Sequence, residues 1–153
     1  VSEQEAVMKT LTMCVVIVFL VPGAASAVDW TDVGKTEAEH VLLDRDSLHL
    51  DGGVLKARAI HSYAEERTLG DDFYPHRSRV IGYAVDCAGR ALAAPEWSFQ
   101  SGAIGSGRTV WADHATRPDF YEPDAGSAQA ALVVQACELW AARSAAPVAA
   151  ADR

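Results

Sequence analysis

The sequence predicts an α+β domain: an antiparallel β-sheet of about six strands, with a C-terminal α-helix packed on one face and tied there by a disulfide. Three observations carry that expectation. Residues 54–63, VLKARAIHSY, alternate with a period of two, and Leu55, Ala57, Ala59, His61 and Tyr63 share one side. Such alternation marks a half-buried strand. Residues 126–144, GSAQAALVVQACELWAARS, hold no proline and no glycine after Gly126, and good helix formers dominate. Cys87 and Cys137 fall on the apolar stripes of a strand and of that helix, so a bond between them docks one element on the other.

In chain order, HVLLD (40–44) and SLHLD (47–51) read as two short strands. Asp51-Gly52-Gly53 is a hairpin turn, because paired glycines accept the positive φ angles of a tight reversal. The long strand 54–63 follows, and ERTLGDDFYPHRS (66–78) reads as an exposed loop. In RVIGYAVDC (79–87), Ile81, Tyr83, Val85 and Cys87 share a face. APEWSFQ (94–100) and RTVWAD (108–113) complete the strands. Pro95 cannot donate to a ladder, which confines its strand to an edge or Pro95 to the strand's first residues. On the helix, Ala130, Val133, Val134, Cys137, Trp140 and Ala141 form an apolar stripe, with Ser127, Gln135 and Glu138 opposite. Ser127 is the expected N-cap. The domain is expected over 28–144, and 145–153 as a flexible tail.

The start of the chain indicates a compartment. LTMCVVIVFLV, residues 11–21, follows Lys9 and precedes Pro22-Gly23 and the small residues Ala25-Ser26-Ala27. A basic residue, a short apolar run and an A-x-A site make a secretory signal peptide over 1–27. As a helix the run rises about 16 Å, roughly half a bilayer's hydrocarbon core, so it is too short to span. Glu3 and Glu5 do not suit a leader's basic start, and Met8 is the expected first residue. Cleavage after Ala27 leaves 126 of the 153 residues, with 12 Lys and Arg against 19 Asp and Glu. That length supports one hydrophobic core. The acidic balance excludes non-specific nucleic-acid binding, which depends on a basic surface.

Cys14 departs with the leader, and Val28-Asp29 offers no cysteine for a lipid anchor. No stretch serves as a transmembrane segment. Cys87 and Cys137 remain, an even pair in an exported chain, which reads as a disulfide with two free buried thiols as the alternative.

Chemical motifs are few. In QSGAIGSGRTVW (100–111), Gly102, Gly107, Arg108 and Thr109 match the spacing of a phosphate-binding G-x-x-x-x-G-K-[ST] loop, with arginine for lysine. That motif opens a helix whose amides meet the phosphate. Here RTVW is β-branched and aromatic, so the loop is expected to be a mobile hairpin connection. DRDSLHLDG (44–52) begins like a calcium loop but lacks the third ligand, the placed glycine and the closing Glu. Its aspartates read as solvated turn residues. His40, His49, His61, His76 and His114 are scattered, and His61 reads as packed or hydrogen-bonded. Asp113-His114 has no nucleophile beside it, and Trp97, Phe99 and Trp111 read as a packed aromatic cluster. No catalytic residue, metal site or cofactor is expected; Cys87 and Cys137 are the assigned site residues.

The order of DWTDVG, VLLDRDSLHLDGGVLKARAIHSY, SRVIGYAVDCAGRALAAPEWSFQSGAIGSGRTVW and a closing helix with VVQACELW resembles the surface-adhesin protein E family of Gram-negative bacteria. The resemblance implies the same sheet, helix and disulfide that the residues predict. It further implies an exported, non-enzymatic binding module, periplasmic, secreted or at the cell surface. Its partners would be host extracellular-matrix or serum proteins, or bacterial envelope proteins. The alternative is a periplasmic protein holding a small ligand between sheet and helix.

Overall fold

The computed structural model describes residues 28–70, 74–117 and 119–146. The expected leader 1–27, with its start at Met8, lies outside the described residues, as do 147–153 of the expected tail. Six strands form one sheet in the order of the chain, every neighbouring pair antiparallel. They are β1 (Trp30–Lys35), β2 (Glu39–Asp51), β3 (Val54–Arg67), β4 (His76–Asp86), β5 (Ala91–Gln100) and β6 (Thr109–His114). The helix α1 (Ala128–Ala145) follows.

The strand number matches expectation, although two members differ. WTDVGK, with no clean alternation, nevertheless pairs as β1 along β2. HVLLD and SLHLD are halves of one strand, β2, whose pairing with β3 slips between Asp44 and His49. The β2–β3 hairpin closes at Asp51 opposite Val54, with φ of 58° at Gly52 and 83° at Gly53. Both ends of the expected loop 66–78 are strand, since β3 runs to Arg67 and β4 begins at His76. Pro95 sits fifth in β5, a strand between β4 and β6, contrary to both the edge strand and the early position expected. The β4–β5 register slips between Gly82 and Ala84, and a bulge there removes the need for a proline N–H.

One face of the sheet is dry. Val41, Leu43, Leu55, Ala59, Ile81 and Val85 meet Leu132, Val133 and Ala136 of α1, all buried. Each fully buried Leu or Val contributes about 1.5–3 kcal/mol. The helix is rolled relative to the expected stripe. Val134 is 50% exposed, whereas Leu132 is buried and Leu139 packs against the cluster. Leu132 and Leu139 offer more apolar area than Ala130 and Ala141, so the arc centred on Ala136 wins. Gln135, expected to face solvent, donates from Nε2 to the Asp32 carbonyl at 3.3 Å. Ser127 caps the helix as expected, its hydroxyl accepting from Ala130 N at 3.1 Å. Cys87, just after β4, is bonded to Cys137 with the Cα atoms 5.7 Å apart. No described helix is long and apolar enough to cross a membrane.

Candidate functional site

The sheet face away from α1 is divided in two. One half lies under the glycine loop 101–107, which is fastened rather than mobile. Ser62 and Ser78 stand opposite each other on β3 and β4. Ser78 Oγ donates to the Gly102 carbonyl at 2.6 Å and accepts from Gly105 N at 2.9 Å. Ser62 Oγ accepts from Ile104 N at 3.1 Å. Gly107 has φ 81°, and a Cβ there would stand 2.4 Å from Ser101 Oγ, so no side chain fits. The loop joins strand to strand, as the sequence requires. Its amides at Ser101, Gly102, Ile104, Gly105, Ser106 and Arg108 all donate within the protein, which leaves no cradle of free amides for a phosphate.

The other half is an open groove of about 740 Å³. Lys56 and Arg58 reach into it from β3, Glu96 and Ser98 from β5, and His114 from β6. Gly82, paired with Glu96, leaves its floor without a side chain. Arg58 is held at its base. Its Nε donates to Asp44 Oδ2 at 2.9 Å, and Nη2 donates to the same oxygen. Asp44 is 1% exposed, which corrects the solvated reading of that aspartate; Asp46 is exposed. The irregular register after Asp44 turns its carboxylate into the sheet, where Oδ1 accepts from Asp46 N at 3.0 Å. Ser47 Oγ locks the bulge by donating to the Asp44 carbonyl at 2.6 Å and accepting from Arg58 N at 2.8 Å.

On the helix side, a buried polar chain runs across three strands. His61, 1% exposed, places Nδ1 2.7 Å from Glu39 Oε1 and Nε2 2.9 Å from the Tyr83 hydroxyl. The hydrogen bond from His61 holds the Glu39 carboxyl below the usual glutamate range, against the opposing effect of burial. Burial pushes the Tyr83 hydroxyl far above the ordinary phenol range. Tyr83 therefore keeps its proton, and in the neutral ring that proton is donated to Nε2 while Nδ1–H is donated to Glu39. A raised hydroxyl is the opposite of an activated nucleophile. His61 is hydrogen-bonded, as the sequence indicates.

Beside this chain, between the sheet and the first turn of α1, lies a pocket of about 440 Å³. Ile81, Trp97, Phe99 and Trp111 form its sheet wall, and Tyr121 and Gln129 its helix side. The expected aromatic cluster is real: Trp111 stands 6.5 Å from Trp97 and 5.7 Å from Phe99 between ring centroids. It lines a pocket and is packed as well: Phe99 is buried and Trp97 packs against the core cluster. Tyr121 is set there by a bridge to Leu92, with both N–H···O distances 3.0 Å. Arg79 also lines the pocket, and its Nε is buried without a hydrogen-bond partner. Such an orphan nitrogen costs about 1–3 kcal/mol.

The structure thus joins Cys87 with Cys137 and scatters the histidines, except that His49 and His114 both line the groove. His40 bonds Asp32 at 2.8 Å, His76 Nδ1 lies 2.9 Å from the Tyr74 carbonyl, and His114 faces the groove. Among the described residues, no group of three or more His, Cys, Asp or Glu is placed to hold a metal. Arg79, Asp44 with Arg58, and the serines under the glycine loop carry no motif. Alternation puts Ser62 and Arg58 on one face of their strand; their partners depend on register.

A family model described as surface-adhesin protein E matches residues 30–138, from the start of β1 into α1, and both cysteines lie within it. A search of curated proteins finds no match.

Proposed function

The chain belongs to the surface-adhesin protein E family, and from that membership we propose that it is an exported, non-enzymatic module that binds a protein partner across its open sheet face. The partner is a host extracellular-matrix or serum protein, or a protein of the bacterial envelope. The observation that carries this reading is the groove of Lys56, Arg58, Glu96, Ser98 and His114. Both charge signs, a hydroxyl and an imidazole lie on rigid strands, which suits a polypeptide segment with its own mixed side chains. A phosphate backbone would meet Glu96, Asp113 and a chain of net charge −8.

The test is surface plasmon resonance of the exported chain against purified matrix and serum proteins and purified envelope proteins. Lys56→Glu and Glu96→Lys are expected to weaken a saturable interaction at least tenfold, about 1.4 kcal/mol. Binding that survives both reversals would move the interaction off the groove. Absence of saturable binding throughout the panel would reject the module reading. Export is checked separately, by N-terminal sequencing that reads VDWTDVG.

A further inference from the structure

We propose that the pocket beside the first turn of α1 is a site for a small aromatic monocarboxylate, independent of the open groove. Three features of the pocket converge on that chemistry. Its sheet wall is aromatic, with Trp111 against both Trp97 and Phe99, and Tyr121 lines the same pocket. Indole and phenyl faces take a flat ring by offset or edge-to-face stacking, and the volume of about 440 Å³ falls in the range of small-ligand sites.

The second feature is a charge inside that wall. Arg79 is paired in register with His61 on β3 and Phe99 on β5, so it stands in a row between the polar chain and the aromatic cluster. Its Nε is buried without a partner, and among the described residues no carboxylate forms an ion pair with it. Buried donors are nearly always satisfied, and a guanidinium is shaped to bind one carboxylate through two parallel N–H···O bonds. The third feature is the polar edge: the Gln129 amide is a further donor on the helix side. A ring on the aromatics and a carboxylate on Arg79 satisfy all three. A dicarboxylate would leave a second charge against Trp97 and Phe99, and an aliphatic acid would forgo the stacking.

Isothermal titration calorimetry of the intact exported chain with phenylacetate, phenylacetamide and acetate tests this. Phenylacetate is expected to bind saturably with Kd below about 1 mM. Phenylacetamide, of the same shape without the charge, is expected to bind at least tenfold more weakly, and acetate not measurably. Arg79→Gln should weaken phenylacetate at least tenfold, while Arg77→Gln, whose Nε is also unpartnered but which does not line the pocket, should leave it unchanged. Equal affinity for the amide, indifference to Arg79→Gln, or no saturable phenylacetate binding would overturn the proposal. Should Arg79→Gln fail to fold, the ligand series on the unaltered chain still decides. Lys56→Glu leaves the pocket intact, so a failure at the groove and a failure here are separate results.

Discussion

Replacing Cys87 with alanine releases a cross-link between residues 50 apart in sequence. On the chain-entropy account, a loop of that length restricts the unfolded chain by about 4 kcal/mol. For a domain of this size, that corresponds to a fall in Tm of roughly 15 °C. The native helix should nevertheless stay docked. Leu132, Val133 and Ala136 are buried against the sheet, and their side chains supply roughly 5 kcal/mol of transfer free energy. Ser127 also caps the first turn. The bridge therefore acts mainly on the unfolded state. Cys87→Ala, Cys137→Ala and the double variant should lose stability by the same amount in urea titrations followed by circular dichroism. The m-value should rise slightly, because the unbridged unfolded chain is more expanded. Amide exchange in α1 should remain slow under native conditions. Additive losses from the two single substitutions would refute the reasoning, as would a loss below about 1 kcal/mol.

Three further expectations follow from the polar contacts. Arg58→Gln should cost about 3–5 kcal/mol by stranding the buried Asp44 carboxylate, whereas Asp44→Asn, which leaves a half-exposed arginine free to hydrate, should cost about 1–2 kcal/mol; equal losses in urea denaturation would count against this asymmetry. Ser78→Ala should cost about 1–3 kcal/mol and speed amide exchange at Gly105, because it orphans two part-buried backbone groups at once. Glu39 has a lowered folded-state pKa, so its stabilisation is complete above the ordinary glutamate value and is lost as pH falls through the lower folded value. Glu39→Gln should accordingly flatten the decline in stability between about pH 5 and pH 3, and an unchanged acid slope would contradict that origin.

Much of the fold is legible in the sequence because its strands alternate. Leu55, Ala57 and Ala59 announce the core face of β3, and Ile81, Tyr83 and Val85 that of β4. The two cysteines then give the docking of the helix. Register is where legibility ends. Extending the hairpin from Asp51 opposite Val54 in regular steps puts Ser47 across from Arg58, yet Asp44 is the residue found there. The displacement buries Asp44, creates its pair with Arg58 and sets one wall of the groove. No propensity marks a bulge of that kind. The glycine loop fails for a related reason: its flexibility is written in its own residues, while its anchors, Ser62 and Ser78, lie 42 and 24 to 27 residues away. Helix roll was lost on a smaller margin, the difference in area between leucine and alanine.

The two faces of the sheet answer to different physics. The helix face is held by close packing and a covalent bond, where a change of one methylene is felt across the core. The open face is held by Asp44, Ser47, Ser62 and Ser78, whose hydrogen bonds fix the backbone and the base of Arg58. Lys56 and Glu96 reach the groove from strands already fixed by both sets of contacts. Substitutions at those two positions should move stability by no more than about 0.5 kcal/mol, as surface changes generally do. The groove's charge pattern can therefore be rewritten without disturbing the residues that make the fold.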